Sequence, residues 1–305
     1  MKRKILILAL VLAGAAKAHA DDAAMKPFIL AWKDNADVAA TAASVTDKLK
    51  GAGFEVVGSY SPYPGAMVVA ATDDDMKNVA AKSQFGAYGA VERVAITRVG
   101  DETQVSYSNP RYYAAAYRMA SDLGSDADKL KQALGGVAEF GPKDGLTADD
   151  LHSYRYMFGM EEFDDPITLA EYPDYQKAVA GVEKGLAAHT MGVSKVYRID
   201  IPGKEETVFG VAIDNKGDNE QANDQYIMKE IDFKPLRSTA HLPYEMVVSG
   251  RKVYTLSARF RIAVDFPDLS MMGSNSFMNI MSSPDAIRTV LSHAAGGDWS
   301  VVKGN

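Results

Sequence analysis

The sequence predicts an α+β protein of two related modules, each a small antiparallel-rich sheet with helices packed on one face. Three observations predict it. Residues 241–267 read as two strands folded about Ser249, Gly250 and Arg251. Residues 93–110 follow the same plan of strand, tight turn and strand, then an aromatic-rich stretch around a proline. Each stretch leads into a short helix that ends in Gly-Gly, at 130–136 and 290–297. Helices and antiparallel strands mixed in this way bury their apolar faces against one another in layers.

In chain order, residues 28–32 form a first strand. Asp34 or Asn35 can cap the helix that follows, in which Val38, Ala42, Val45 and Leu49 recur at helical spacing until Gly51 and Gly53 stop it. Strands at 54–60 and 66–72 flank the turn-rich Ser61-Pro62-Tyr63-Pro64-Gly65. Thr72 or Asp73 caps a second helix to about Lys82, whose first turn carries Asp74 and Asp75, where acids complement the helix dipole. The 93–110 hairpin comes next, then a helix opened by Ser125. Thr147-Ala148-Asp149-Asp150 and Thr168-Leu169-Ala170-Glu171 both fit a capping box, so residues 141–173 read as a helical connector between modules. The second half opens with a helix at Pro173-Asp174, with strands at 193–201 and 207–214, a loop at 215–224 and a short helix at 225–231. A hairpin running to Val264 follows, then a last helix with Ser283 as N-cap and Pro284 at its first position. The expected organisation is residues 1–20 as a leader, 21–140 and 174–305 as modules, and 141–173 as the connector.

Residues 1–20 have the parts of a secretory signal peptide. Lys2, Arg3 and Lys4 precede an apolar run at 5–16, and Ala18-His19-Ala20 fits the cleavage site. The run is too short to span a bilayer, and no later run is longer. A periplasmic or secreted location is therefore expected after cleavage near Ala20. Removing Lys2, Arg3, Lys4 and Lys17 takes the charge from −7 to −7 − 4 = −11. An acidic chain is poorly suited to nucleic acid or to anionic membranes. There is no cysteine, which excludes thiol catalysis and thiolate metal sites.

The helix into Gly51-Ala52-Gly53-Phe54, the strand pair at 93–105, Asn109-Pro110, Leu242-Pro243 opening a strand and Phe266-Pro267 resemble the domain of unknown function 302 family. The resemblance covers most of 28–140 and 174–297. It implies a two-layer α/β fold in tandem copies and carries no catalytic motif. Some members have a cysteine after the Leu-Pro. Here that position is Tyr244, so no thiol role is implied.

Site candidates are few. Tyr107, Tyr113 and Tyr117 with Arg111 can line a pocket for an anionic or planar ligand, because tyrosine offers an apolar body with a hydroxyl and arginine binds carboxylate in bidentate fashion. His241, four residues before Glu245, and the alternating Arg259 and Arg261 complete the ligand-binding set. Met271, Met272, Met278 and Met281 offer thioethers suited to a soft metal such as Cu(I), although methionine at helical spacing also simply fills core gaps. Ser249-Gly250-Arg251-Lys252 matches S-x-x-K but falls in a hairpin turn, without the companion motifs of that enzyme class. No catalytic residue and no cofactor is assigned. The expectation is an exported, non-catalytic binding protein for a small ligand or a protein partner. The alternatives are copper handling and a hydrolase-like enzyme without a recognisable motif.

Overall fold

A computed structural model describes residues 23–298. The leader expected at residues 1–20 lies outside the described residues. The fold is α+β, with two antiparallel sheets and helices packed against them. No helix among the described residues is long and apolar enough to cross a membrane.

The first sheet holds β1 (Phe28–Asp34), β2 (Glu55–Tyr60), β3 (Ala66–Thr72), β4 (Glu92–Val99), β5 (Glu102–Ser108) and β6 (Ala138–Phe140), in the order β2-β3-β4-β5-β1-β6. The second holds β7 (Ile167–Glu171), β8 (Val193–Asp200), β9 (Glu206–Ile213), β10 (Tyr244–Ser249) and β11 (Lys252–Thr255), in the order β7-β11-β10-β9-β8. Counted from its own first strand, each sheet therefore runs 2-3-4-5-1, with β6 added to the first. The helices follow the same succession. Those of the first half are α1 (Val38–Gly51), α2 (Asp74–Ala81), α3 (Pro110–Ala116) and α4 (Gly124–Leu134). After the single turn α5 (Ala148–His152) come α6 (Tyr175–Ala187), α7 (Asp224–Ile231), α8 (Ala258–Asp265) and α9 (Ser283–Ala294).

Strand alternation decides which face goes where. In β4, Val94 and Ile96 pack with Val45 and Leu49 of α1 and Leu130 of α4, so this face is covered by the module's own helices. In β10, Met246 and Val248 pack in the same way against Val182 of α6 and Val290 of α9. The opposite faces meet the other half of the chain. Val208 and Val247 of the second sheet pack against Tyr88 and the tyrosines of α3. The turn at 239–241 lies on the first sheet, where Thr239 bonds to Thr97 at 2.8 Å. One core thus runs continuously between the halves.

The outermost strands β2 and β8 also meet, each bearing a bulge at the contact, near Val57 and Val196. Bulges at sheet edges twist a strand away from further pairing. Gly58 makes the approach possible, since a Cβ there would overlap the carbonyl oxygen of Val196. Gly58→Ala is expected to destabilise the fold by roughly 1–3 kcal/mol, as overpacking does. A shift of the urea midpoint to lower concentration at unchanged slope checks this.

Three expectations are corrected. The hairpin from residue 241 does not run to Val264, because β11 ends at Thr255 and residues 258–265 form α8. The period-2 alternation of Ala258, Phe260, Ile262 and Val264 imitates a strand. In the helix, however, Phe260 and Val264 face the core between the halves, whereas Ala258 and Ile262 face the second module's own core. A helix buried on two sides makes both sets apolar. Arg259 and Arg261 consequently do not share a strand face; two residues apart on a helix they diverge by about 200°.

The connector 141–173 is not all helical. The capping box at Thr147 forms as expected, with Asp150 closing it. Thr168–Glu171, by contrast, belongs to β7, which pairs with β11 and is part of the second sheet. The second sheet therefore begins at Ile167, inside the expected connector. Two caps are displaced along the chain: Asp37 caps α1, and Ser282 rather than Ser283 precedes α9.

Candidate functional site

Three places in the fold gather chemistry-bearing side chains. The first is a buried polar seam between the halves. β4 supplies Arg93 and β10 supplies Tyr244 and Glu245, while α8 supplies Arg261 and Asp265 one helical turn apart. Tyr113 comes from α3, Tyr117 from its C-cap, Tyr197 from β8 and His241 from the turn before β10. Arg261, Asp265, His241 and Glu245 are each at most 2% exposed.

The bonding is continuous. Arg261 is ion-paired to Glu245, and its Nη2 donates to the His241 carbonyl at 2.5 Å. Tyr197 donates to Glu245 at 2.8 Å. His241 Nδ1 lies 2.5 Å from Asp265, its Nε2 lies 3.1 Å from the Tyr244 hydroxyl, and Tyr113 donates to Asp265 at 2.8 Å. Burial pulls His241 below the usual imidazole value, and Arg261 and Arg93 add to this against the raising effect of Asp265. For Asp265, burial acts to raise the carboxyl, but the His241 hydrogen bond and the two arginines outweigh it and hold it below the usual range. A neutral imidazole donating from Nδ1 to an ionised Asp265, and accepting from Tyr244 at Nε2, satisfies every partner. Arg93 stacks on the Tyr113 ring at 4.7 Å.

An Asp–His–Tyr chain of this kind can hold and pass a proton. Its members are nevertheless fully enclosed, and the cavity beside Arg93 measures about 10 Å³, room for one water-sized particle. In this conformation the seam joins the halves and admits no organic substrate.

The sequence-derived ligand set divides accordingly. Tyr113, Tyr117, His241, Glu245 and Arg261 converge in the seam. Tyr107 points to the opposite face of the first sheet, where it packs with α1 and α4 residues and donates to the Gly135 carbonyl at 2.9 Å. Arg111 is exposed and paired with Asp122. Neither takes part in the seam. Asp265, Arg93, Tyr88, Tyr197 and Tyr244 were not foreseen. Arg93 was findable, because it sits at a core position of a strand whose neighbours Val94, Ala95 and Ile96 are all apolar.

The second place is an open apolar pocket of about 80 Å³ between residues 156–161, α8 and residues 266–277. Met157, Met160 and Met271 line it with Phe260, Phe266 and Phe277, and Arg259 and Glu161 stand at its edge 3.3 Å apart. Arg259 therefore belongs here and not with Arg261. Of the four methionines singled out, only Met271 contributes. Met272, Met278 and Met281 are 67%, 52% and 62% exposed and do not line the pocket. Met157 and Met160 take their place, and the 154–160 stretch Tyr-Arg-Tyr-Met-Phe-Gly-Met carries the composition that could have marked them. Phe158, beside them, is 96% exposed. The surface around the pocket is thus apolar and rich in flexible thioethers, which adapt readily to an irregular ligand.

A third cluster, Asp73, Asp75 and Asp126, brings three carboxylates within 4.8 Å of one another. The Lys129 ammonium already sits among them, paired to all three. This local ion network ties α4 to the start of α2.

No family model, no curated protein and no solved structure matches this chain.

Proposed function

We propose that the chain is an exported, non-catalytic binding protein built from two copies of one α+β module, in which the second carries the ligand site. The repeat reading is supported by the common 2-3-4-5-1 strand order and the parallel succession of helices. The resemblance to the domain of unknown function 302 family rests on the residues that carry it, among them Gly51-Ala52-Gly53-Phe54, Asn109-Pro110 and Leu242-Pro243. Export is supported by the basic, apolar and A-x-A parts of residues 1–20.

The observation that carries the binding reading is the methionine- and phenylalanine-lined pocket with a single ion pair at its edge. Ligand sites are typically concave and apolar with a few polar groups at fixed points. A cavity of about 80 Å³ is roughly half the volume that accepts benzene in a rigid core. The ligand is therefore a small apolar molecule or the apolar end of a larger one, with Met157, Met160 and Met271 turning aside to admit it. Ala263, on the pocket wall, offers the test. Ala263→Leu is expected to weaken binding of the fluorescent probe 1-anilinonaphthalene-8-sulfonate at least tenfold, while the thermal midpoint moves by only a few degrees. Equal binding by both proteins sinks this site.

A second reading rests on the same lining, since three thioethers around one pocket suit a soft monovalent cation. Stoichiometric Cu(I) uptake lost on replacing Met160 and Met271 with leucine would favour it over the organic ligand.

A further inference from the structure

We propose that Met157 and Met271 are oxidation sites, at which a hydroperoxide converts the thioether to the sulfoxide and so closes the apolar pocket to its ligand. This rests on that pocket being the ligand site. Among the described residues five methionines are exposed, and all five fall in the two segments that border the pocket: Met157 in one, and Met271, Met272, Met278 and Met281 in the other. Met76, Met228 and Met246, by contrast, are at most 2% exposed and pack in the cores. Of the five, Met157 and Met271 are also part of the pocket wall, at 48% and 41% exposure. Each of the two residues thus meets both solvent and whatever the pocket holds.

The chemistry follows from sulfur. The chain has no cysteine, so an oxidant that reaches its surface meets no thiolate, and thioethers are its only sulfur atoms. A sulfur lone pair attacks one oxygen of the peroxide. The S–O bond forms as the O–O bond breaks, and the departing hydroxide takes the proton of the transferred oxygen to leave as water. Sulfur gives up two electrons and the peroxide accepts them. The product puts a polar, chiral group where a flexible apolar one stood. Phe260, Ile262, Phe266 and Phe277 on the same wall offer its oxygen no side-chain donor, and Arg259 at the edge is engaged by Glu161 and Asp285. An apolar ligand seated against that oxygen would shut it off from water, which disfavours the complex. Because the core methionines are enclosed, the change stays at the pocket and leaves the fold intact.

Peptide mapping by mass spectrometry during hydrogen peroxide treatment, with binding of 1-anilinonaphthalene-8-sulfonate measured alongside, tests this. Sulfoxide is expected at Met157 and Met271 well before Met76, Met228 or Met246. The Kd of the probe is expected to rise roughly tenfold or more, while the thermal midpoint moves by only a few degrees. Methionine sulfoxide reductases for both epimers, supplied with a thiol, should restore the affinity. The double variant Met157→Leu with Met271→Leu, whatever its starting affinity, should hold that affinity through peroxide. Met272→Leu, Met278→Leu and Met281→Leu together should leave the full loss in place. Probe binding by untreated protein that ignores Ala263→Leu overturns the pocket reading and this inference with it. Ala263-dependent binding that persists once Met157 and Met271 are sulfoxides overturns the oxidation inference alone, as does a loss that the double variant shares.

Discussion

Arg261→Met is expected to cost the fold roughly 3–5 kcal/mol, the loss typical of removing one partner from a buried ion pair. Arg261 is 1% exposed, is paired to Glu245 and donates to the His241 carbonyl, so its removal strands a buried carboxylate and a buried carbonyl at once. Glu245 would keep only the Tyr197 hydroxyl, and a buried carboxylate left with a single donor is costly. Glu245→Leu alone should cost a similar amount by leaving the guanidinium unpaired. The double replacement Glu245→Leu with Arg261→Met should recover much of the loss, because two apolar groups of similar volume satisfy each other. Guanidinium unfolding of the four proteins reads the coupling directly. Single losses below about 1 kcal/mol, or strictly additive ones, would mean that the pair does not hold the halves together. The same experiment reports on cooperativity. Because Val208 and Val247 share a core with Tyr88 and Tyr112, both halves are expected to unfold in one transition rather than module by module.

That seam marks the limit of what the sequence discloses. The helix at Val38, Ala42, Val45 and Leu49 and the hairpin at 93–108 were legible because local periodicity and turn residues specify them without help from distant parts of the chain. Residues 258–265 were not, since their alternation reflects two buried sides, and only the position of the other module reveals the second side. Thr168–Glu171 satisfied a helix-start pattern but was claimed by an open edge of the second sheet, a tertiary choice that overrides local preference. For the site, His241, Glu245 and Arg261 stood out by type, yet their burial together depends on Asp265 and Tyr113, which come from helices far apart in sequence. The methionine segment was legible as an unusual composition. Its partner residues Met157 and Met160 lie more than a hundred positions away and meet Met271 only through the fold.

Stability is expected to fall between pH 6.5 and pH 8, by on the order of 3 kcal/mol if three buried carboxyls each contribute up to 1.36 kcal/mol per pH unit. Burial pushes Glu92 up to about 8, and Asp224 and Asp232 each up to about 7. Asp224 is held by Tyr60 at 3.1 Å and the Ile213 N–H at 3.2 Å, so folding requires it to leave water for two donors. Asp232 accepts from the Ser238 N–H at 2.7 Å in a similarly closed setting. A carboxyl whose native value is raised binds its proton more tightly folded than unfolded. Its stabilising effect is complete below the unfolded value near 4 and is lost as the pH rises through the native value. His241 acts in the opposite sense, since its value is lowered on folding, but that effect is confined to pH below about 6.5 and leaves the upper window to the carboxyls. Asp265, also lowered, matters only at still lower pH. Calorimetric midpoints at pH 6.5 and 8 should therefore differ by several degrees, with the lower value at pH 8. Asp224→Asn and Glu92→Gln keep an acceptor in place and remove the titration, so each should flatten part of the decline. A midpoint that rises between pH 6.5 and 8 would show that these carboxyls are already ionised in the native state, their hydrogen-bond donors outweighing the burial around them.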